Sequence, residues 1–487
     1  MTTETQISGT TALELEEILT SAAAAAAALG SYLPAERALL LEAAANALDN
    51  AASELIPVAQ RESRLAEGRL SGELKRTTFQ LRLFAEVLRD GGYLDVRIDH
   101  ADQAWPMGAP RPDLRRWMEP LGPVVVFAAS NFPFAFSVAG GDTASALAGG
   151  NPVVLKVHSG HPELSTRTAR ILSAALRDAG APEGTFAVVY GTQAGADALR
   201  DPRIKAGAFT GSIPGGRALF DIASARPEPI PFFGELGSNN PVFVTSAAAA
   251  ERGSDIASDF VASFTMGSGQ FCTKPGTLVV PKGSDIVEAL RGTALPGPSP
   301  LLNPRIQAGY VEVLQTLNAN PGIQVLAQGT DPLADPPSPT LLLTTAAAML
   351  SDPRALQAEC FGPSAVVVEY DDESQLDALA ESFEGQLTAT IHGTDECEVA
   401  SLLRILARKA GRVLWNEWPT GVSVTYAQQH GGPYPATTAS GSTSVGTAAI
   451  NRFLRPVAYQ GFPDHLLPVA LQESNPLSVA RMVDGKR

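Results

Sequence analysis

The sequence predicts an α/β protein in which a doubly wound, parallel-sheet nucleotide-binding domain is joined to a second α/β domain, with a small ribbon attached. Three observations predict it. From Pro123 to Phe233 short, continuous apolar runs alternate with helical segments, the pattern of parallel strands buried on both faces. A second alternating series begins near Pro241, and between Tyr93 and Trp117 the periodicity gives way to a Pro- and Arg-rich connection.

The elements follow in order. From Ala12 to about Asp90 the pattern is helical: "ALELEEIL", "PAERALLLEAAANAL" with Pro34 near a helix start, and "SGELKRTTFQLRLFAEVLRD" ending at Gly91-Gly92. These helices are expected to cover a sheet. The first series supplies strands at Val124, Pro152, Phe186, Ala206 and Ile230, separated by helices near Asp142–Ala148, Leu164–Asp178, Gln193–Leu199 and Gly215–Ala225. Its ligand is expected outside the carboxyl ends of the strands. The second series runs through "GTLVVP", "SAVVVEY", "LTATIHG" and "GRVLWNEW", with Pro-rich surface loops at Leu295–Pro304 and Asp331–Pro339. The tail from Gly461 to Arg487 has no clear pattern, and no repeat of solenoid period occurs.

Composition narrows the function. The chain has 487 residues, 45% of them hydrophobic and 18% charged, which excludes a disordered chain and requires more than one core. Its net charge of −15 argues against nucleic acid or an anionic membrane as partner. The apolar run Ala22–Leu29 follows Glu14, Glu16 and Glu17 instead of basic residues, so it reads as a helix and not as a signal peptide. The uncharged stretch Pro120–Gly141 contains Pro123, Asn131 and Pro133, which suit a buried strand and loop better than a membrane span. A soluble cytoplasmic protein is the expectation. Three cysteines, Cys272, Cys360 and Cys397, make no disulfide framework.

Several residues could carry chemistry. Cys272 lies in "MGSGQFCTKPG", where flanking glycines would let a sulfur and its own N–H approach one substrate atom; the alternative is a small buried hydrophobe. Glu235, at the end of an apolar strand in "FFGELGSNNP", is either a general base whose pKa burial raises or a helix cap. Asn131 in "AASNFPFAF" could donate to an oxyanion or form an Asx-turn before Pro133. Lys156 ends a strand as a candidate for ribose or phosphate, or as a solvated strand end. Gly211, Ser212 and Gly216, between a strand and a helix, could meet a phosphate. His158, His161, His392, His430 and His465 show no metal-ligand spacing, so no metal is expected.

Together and in this order, "SNFPFAFS", "PVVLKVHSGHP", "FTGSIPGGRAL", "FFGELGSNNPVFV", "GQFCTKPG" and "ECFGPSAVV" resemble the NAD(P)-dependent aldehyde dehydrogenase superfamily, over nearly the whole chain. The resemblance implies that superfamily's fold. It implies residues 1–92 and 119–236 as cofactor domain, 237–447 as catalytic domain, and 93–118 with 448–487 as oligomerisation ribbon and tail. It implies Cys272 as nucleophile, Glu235 as the base that activates water, and Asn131 with the Cys272 N–H as oxyanion donors. Lys156 would meet the adenosine ribose, Ser212 the pyrophosphate, and Glu359 the nicotinamide ribose with Phe361 beside the ring. His158 and Ser159 would border the 2′ position, and Phe132, Phe136, Phe271, Trp418, Thr420 and Gly421 the substrate.

The presence of Glu235 favours hydrolysis to a free acid over transfer to coenzyme A; a CoA-acylating enzyme and a catalytically silent relative are the alternatives. Many NAD-specific members carry an acidic residue where this chain has Ser159, so NADP is expected at least as well as NAD. "PTGVSV", "HGGPYPATT" and "TSVGTAAINRFLRPVAYQGFP" look most like the α-ketoglutaric semialdehyde dehydrogenase branch, which includes NADP-linked fatty aldehyde dehydrogenases. Ser423 and Gly441 stand where that branch often has a glutamate and an arginine. Loss of a cation at 441 implies that uncharged aldehydes rival the semialdehyde. The ribbon implies a homodimer or a dimer of dimers.

Overall fold

The computed structural model describes residues 8–486. Five parallel strands form the first sheet, in the spatial order Phe186–Val189, Val153–Lys156, Val124–Phe127, Ala206–Thr210, Phe232–Glu235. Chain order reverses at the central strand, which makes its carboxyl end the switch point where such sheets bind ligands. Lys156 pairs in register with Phe127, and Glu235 with Thr210, so both finish their strands on that edge. Helices Gly141–Ala148, Pro162–Asp178, Thr192–Arg200 and Ile213–Ser224 connect the strands, and Val124, Val126 and Leu155 face one core while Val125, Phe127 and Val154 face another. That split is the period of two a strand imposes.

Four helices precede this sheet: Ala12–Ser31, Pro34–Asn50, Ala52–Ser63 and Glu67–Asp90. The first starts in a capping box, with Thr11 and Glu14 each bonding the other's backbone N–H. The last, amphipathic from Leu70 through Leu88, ends at Gly91 in the left-handed region, where a Cβ would meet Val479 Cγ1 at 2.3 Å.

The second sheet has seven strands, ordered Gln324–Gln328, Thr340–Thr345, Ser364–Tyr370, Thr277–Pro281, Val242–Val244, Gln386–His392, Ala410–Trp415, antiparallel only at its first pair. The third joins Leu454–Gln460, Leu114–Pro120, Val96–Asp99 and Arg481–Val483. Within the segment expected as a ribbon, Val96–Asp99 pairs antiparallel with Leu114–Pro120, which pairs antiparallel with Leu454–Gln460. Pro456 is tolerated because its strand lies on the edge. The tail without a pattern contributes the three-residue strand Arg481–Val483, parallel to Val96–Asp99.

One expectation needs correction. The first Pro-rich patch lacks helix or strand before Pro304, but Leu301 and Leu302 are buried, and the Leu302 N–H donates to Gln270 Oε1 at 2.9 Å. It braces the segment that carries Cys272. Among the described residues no helix is long and apolar enough to cross a membrane.

Candidate active site

Glu235, Cys272 and His430 come together between the two large sheets' strand ends, from positions far apart in sequence. Cys272 follows helix Ser246–Thr265 and a tight turn in which Gly267, Ser268 and Gly269 all have positive φ. Gly269 has no alternative: a Cβ would lie 2.0 Å from the Gly362 carbonyl oxygen. Asn240 holds the other side of the loop, its amide donating to the carbonyls of Cys272 at 2.8 Å and Lys274 at 2.9 Å. The glycines that suggested close approach to a ligand thus serve close approach of the chain to itself.

His430 Nε2 lies 3.5 Å from Cys272 Sγ and 2.8 Å from Glu235 Oε1. An ionised carboxylate only accepts, so the proton in the latter contact sits on Nε2. Ser444 Oγ donates to the second carboxylate oxygen, and His430 and Glu235 are 1% and 2% exposed. Burial pushes Glu235 up, but His430, Ser444 and Cys272 outweigh it and hold the carboxyl below its usual range. The raised pKa expected for this residue is therefore reversed, because its three partners come from positions 272, 430 and 444, far away along the chain. Burial and the neighbouring Glu235 push the Cys272 thiol well up, so at rest it keeps its proton.

His430, like Arg69 and Arg76, lies at this site without having been singled out for it by the sequence. The signal was present in "HGGPYPATT", but the histidines were weighed only by metal-ligand spacing along the chain. Its backbone N–H donates to Thr443 Oγ1 at 2.8 Å, and the Ser444 N–H donates to the His430 carbonyl at 2.9 Å, so one C-terminal loop supplies both partners of Glu235.

Asn131 donates its side-chain amide to the Gln270 carbonyl at 3.2 Å, beside Cys272, with a second N–H to offer. Its own carbonyl accepts from Arg69 Nη2 at 2.8 Å. The Arg69 guanidinium also lies over the rings of Phe132, at 4.8 Å, and Phe271, at 4.6 Å. Phe132 packs against both Phe136 and Phe271, with 5.3 Å between centroids in each case. Arg76, about two turns further along the same helix, covers Phe136 at 5.4 Å, and its charge acts on the buried Glu73 first and then on Cys272 and Glu235. Among the described residues neither arginine has a carboxylate within 4.0 Å, and Arg69 Nη1 is buried without a hydrogen-bond partner.

The other substrate candidates divide. Thr420 bonds Ser263, and the Gly421 N–H donates to Thr273 Oγ1 at 3.1 Å, which docks their loop beside Cys272. Trp418 instead packs on His392 at 4.7 Å and Phe260 at 5.8 Å, a core position. Gly441 and Ser423 are exposed, and nothing lies within 4 Å of a Cβ at 441. The cations near Cys272 come from another element.

The residues on the first sheet's edge fit a nucleotide. Lys156 has no carboxylate within 4.0 Å among the described residues, and burial together with Arg305 lowers its pKa. Burial drives His158 down to about 3, so it is neutral, and its Nδ1 accepts from the Gly160 N–H beside Ser159. Ser212 caps helix Ile213–Ser224, leaving the helix's N-terminal N–H groups at the sheet edge. Gly211 and Gly216 allow Phe209 and Leu236 to close in, where a Cβ would meet them at 2.6 and 2.1 Å. Glu359 approaches Gly237 so closely that a Cβ there would lie 2.1 Å from its Oε2, and burial pushes its pKa up to about 7. Phe361 is half-buried two residues on.

A half-buried thiol beside a buried carboxylate at a nucleotide-type sheet edge suits a thiol-dependent oxidoreductase. The aldehyde dehydrogenase family model matches residues 2–455, and the chain belongs to that family. It is 46% identical over 458 residues to the alpha-ketoglutaric semialdehyde dehydrogenase of Acinetobacter baylyi, covering 92% of this chain and 87% of the relative. To alpha-ketoglutaric semialdehyde dehydrogenase 2 of Azospirillum brasilense it is 46% identical over 462 residues, covering 93% and 87%. In fold it matches 1-pyrroline-5-carboxylate dehydrogenase from Thermus with bound NAD, with a TM-score of 0.77 at 20% identity over 93% of this chain and 86% of that one. This protein is an NAD(P)-dependent aldehyde dehydrogenase.

Proposed function

We propose that the enzyme oxidises a short, carboxylate-bearing semialdehyde of the α-ketoglutaric semialdehyde class to the free diacid. The observation that carries this reading is the pair Arg69 and Arg76, two guanidinium groups set in the aromatic wall beside Cys272, which share the charge of one buried carboxylate, Glu73, and among the described residues have none within 4.0 Å. From the aldehyde carbon to the carboxylate carbon such a substrate spans four C–C bonds, about 5 Å. A carboxylate at the far end of that substrate would accept from the open Arg69 Nη1, a donor that uncharged aldehydes leave unmet. The two relatives named for this substrate support the same choice. It moves the cation that position 441 lacks onto helix Glu67–Asp90.

In this reading Cys272 attacks the aldehyde carbon as its proton passes to Glu235, and the Asn131 amide and Cys272 N–H hold the oxyanion. Bound NAD(P)+ supplies the hydride acceptor. Once that proton has left Glu235 for solvent, Glu235 takes another from the water that attacks the thioester, and the acid departs as the thiol reforms. His430 steadies the carboxylate and sulfur through one N–H. Lys156, Ser212, Glu359 and Phe361 hold the cofactor. Residues 1–92 with 119–236 act as cofactor domain and 237–447 as catalytic domain.

Arg76→Met should lower kcat/KM for the semialdehyde by about 10- to 150-fold, the worth of a charged hydrogen bond at about 1.5–3 kcal/mol, while hexanal changes little. Arg69→Met should act in the same direction. The paired assay checks the anchor, and equal losses on both substrates would remove it. NADP should be used at least as well as NAD, because Ser159 leaves the 2′ position free of an acid and Lys156 and Arg305 bring positive charge to it. The ratio of kcat/KM for the two cofactors tests this, and Ser159→Glu should move it towards NAD. The edge strand Leu454–Gln460 offers unpaired backbone groups to a second copy. Light scattering at micromolar concentration should give a dimer or dimer of dimers.

A further inference from the structure

We propose that Cys272, His430 and Glu235 form a binding site for a thiophilic divalent cation of the zinc class, whose occupancy reversibly inhibits the enzyme. Among the described residues this is the one group of three His, Cys, Asp or Glu side chains whose ligand atoms all lie within 4.8 Å of one another. The geometry fits a tetrahedral ion. With Zn–S about 2.3 Å and Zn–N about 2.0 Å, a tetrahedral angle separates sulfur from nitrogen by about 3.5 Å, and His430 Nε2 stands 3.5 Å from Cys272 Sγ. The Nε2 to Glu235 Oε1 distance of 2.8 Å must open to about 3.3 Å, while Ser444 keeps the other carboxylate oxygen in place. The fourth position is left to water.

The charges agree. A thiolate formed next to Glu235 is a second buried anion, but a divalent cation between them makes the centre neutral. Binding releases one proton, from the Cys272 thiol to solvent, as the S–H bond is exchanged for a metal–sulfur bond; nothing is oxidised or reduced. A sulfur, imidazole and carboxylate set selects zinc, cadmium or cobalt(II) over magnesium and calcium. Two features keep the affinity below that of a resident metal. To ligate through Nε2, His430 must carry its proton on Nδ1, which is buried without a partner among the described residues, and Arg76 and Arg412 bring positive charge near Cys272. The ion therefore leaves to a chelator, and while bound it occupies the sulfur that must attack the aldehyde.

The test is titration of the purified, chelator-free full chain with Co2+, followed by ultraviolet and visible absorption. One equivalent per chain should produce a sulfur-to-cobalt charge-transfer band with tetrahedral d–d bands. Zn2+ should displace them, slow alkylation of Cys272 by iodoacetamide at least tenfold and suppress turnover until EDTA is added, whereas Mg2+ does none of these. The bands should persist in Cys397→Ala and vanish in Cys272→Ser, and the tetrahedral bands should be lost in His430→Gln. Absence of the bands in the wild type, or their survival in Cys272→Ser, overturns the site, whichever aldehyde the enzyme prefers.

Discussion

Cys272→Ala lowers aldehyde oxidation by at least about four orders of magnitude, the scale seen when a covalent nucleophile is removed, while NAD(P)+ affinity stays within a few-fold. The separation follows from where the groups lie. Lys156 and Ser212 belong to the first sheet's edge, and neither bonds the Cys272 loop. That loop is fixed by Asn240, by the close packing of Gly269 on Gly362 and by Lys274, whose Nζ donates to the carbonyls of Cys360 and Ser364, and none of these needs the sulfur. No second thiol can substitute: Cys360 is buried with its sulfur directed to the Tyr310 carbonyl, and Cys397 bonds Thr245 and Thr394. NAD(P)H formation by the variant, with cofactor affinity by calorimetry, checks both halves. Substantial residual turnover would mean that the nucleophile is misassigned.

The parallel sheets were legible because their strands are continuous apolar runs between helices, and such runs become buried on both faces wherever a crossover helix returns. Residues at strand ends were legible for the same reason: Lys156 and Glu235 are the first polar groups after apolar strands, and chain geometry alone places them on the ligand edge. What stayed hidden was set by partners distant in sequence. His430 is separated from Glu235 by 195 positions, and nothing local reveals that its ring will reach the carboxylate. Arg69 and Arg76 read as ordinary polar positions of an amphipathic helix. Only the packing of that helix against Asn131 and the phenylalanines turns them towards the thiol. At position 441 the converse holds, since a missing arginine is visible in sequence and a guanidinium brought near the thiol by another element, as Arg76 is, is not. The strand Arg481–Val483 is too short to produce any periodicity.

Glu235→Gln should leave the first half of the reaction faster than the second. The amide cannot take a proton from water, so general-base assistance, worth about 10²- to 10⁴-fold, is lost in thioester hydrolysis. Attack by Cys272 suffers less than hydrolysis does: removing the carboxylate charge relieves one of the effects that, with burial and Glu359, push the thiol up, which partly offsets the loss of its proton acceptor. The shape of the side chain also survives. A glutamine oxygen can still accept from Ser444 or His430, so the loop carrying both need not move. The expected record is a burst of NAD(P)H close to one per active site, then a steady rate reduced about 10²-fold or more, with a thioester at Cys272 recovered by acid quench and mass spectrometry. The burst distinguishes this outcome from simple unfolding, which abolishes both phases. A steady rate equal to wild type would instead assign the water to His430, among the described residues the one other buried imidazole or carboxylate in contact with the same carboxylate and sulfur.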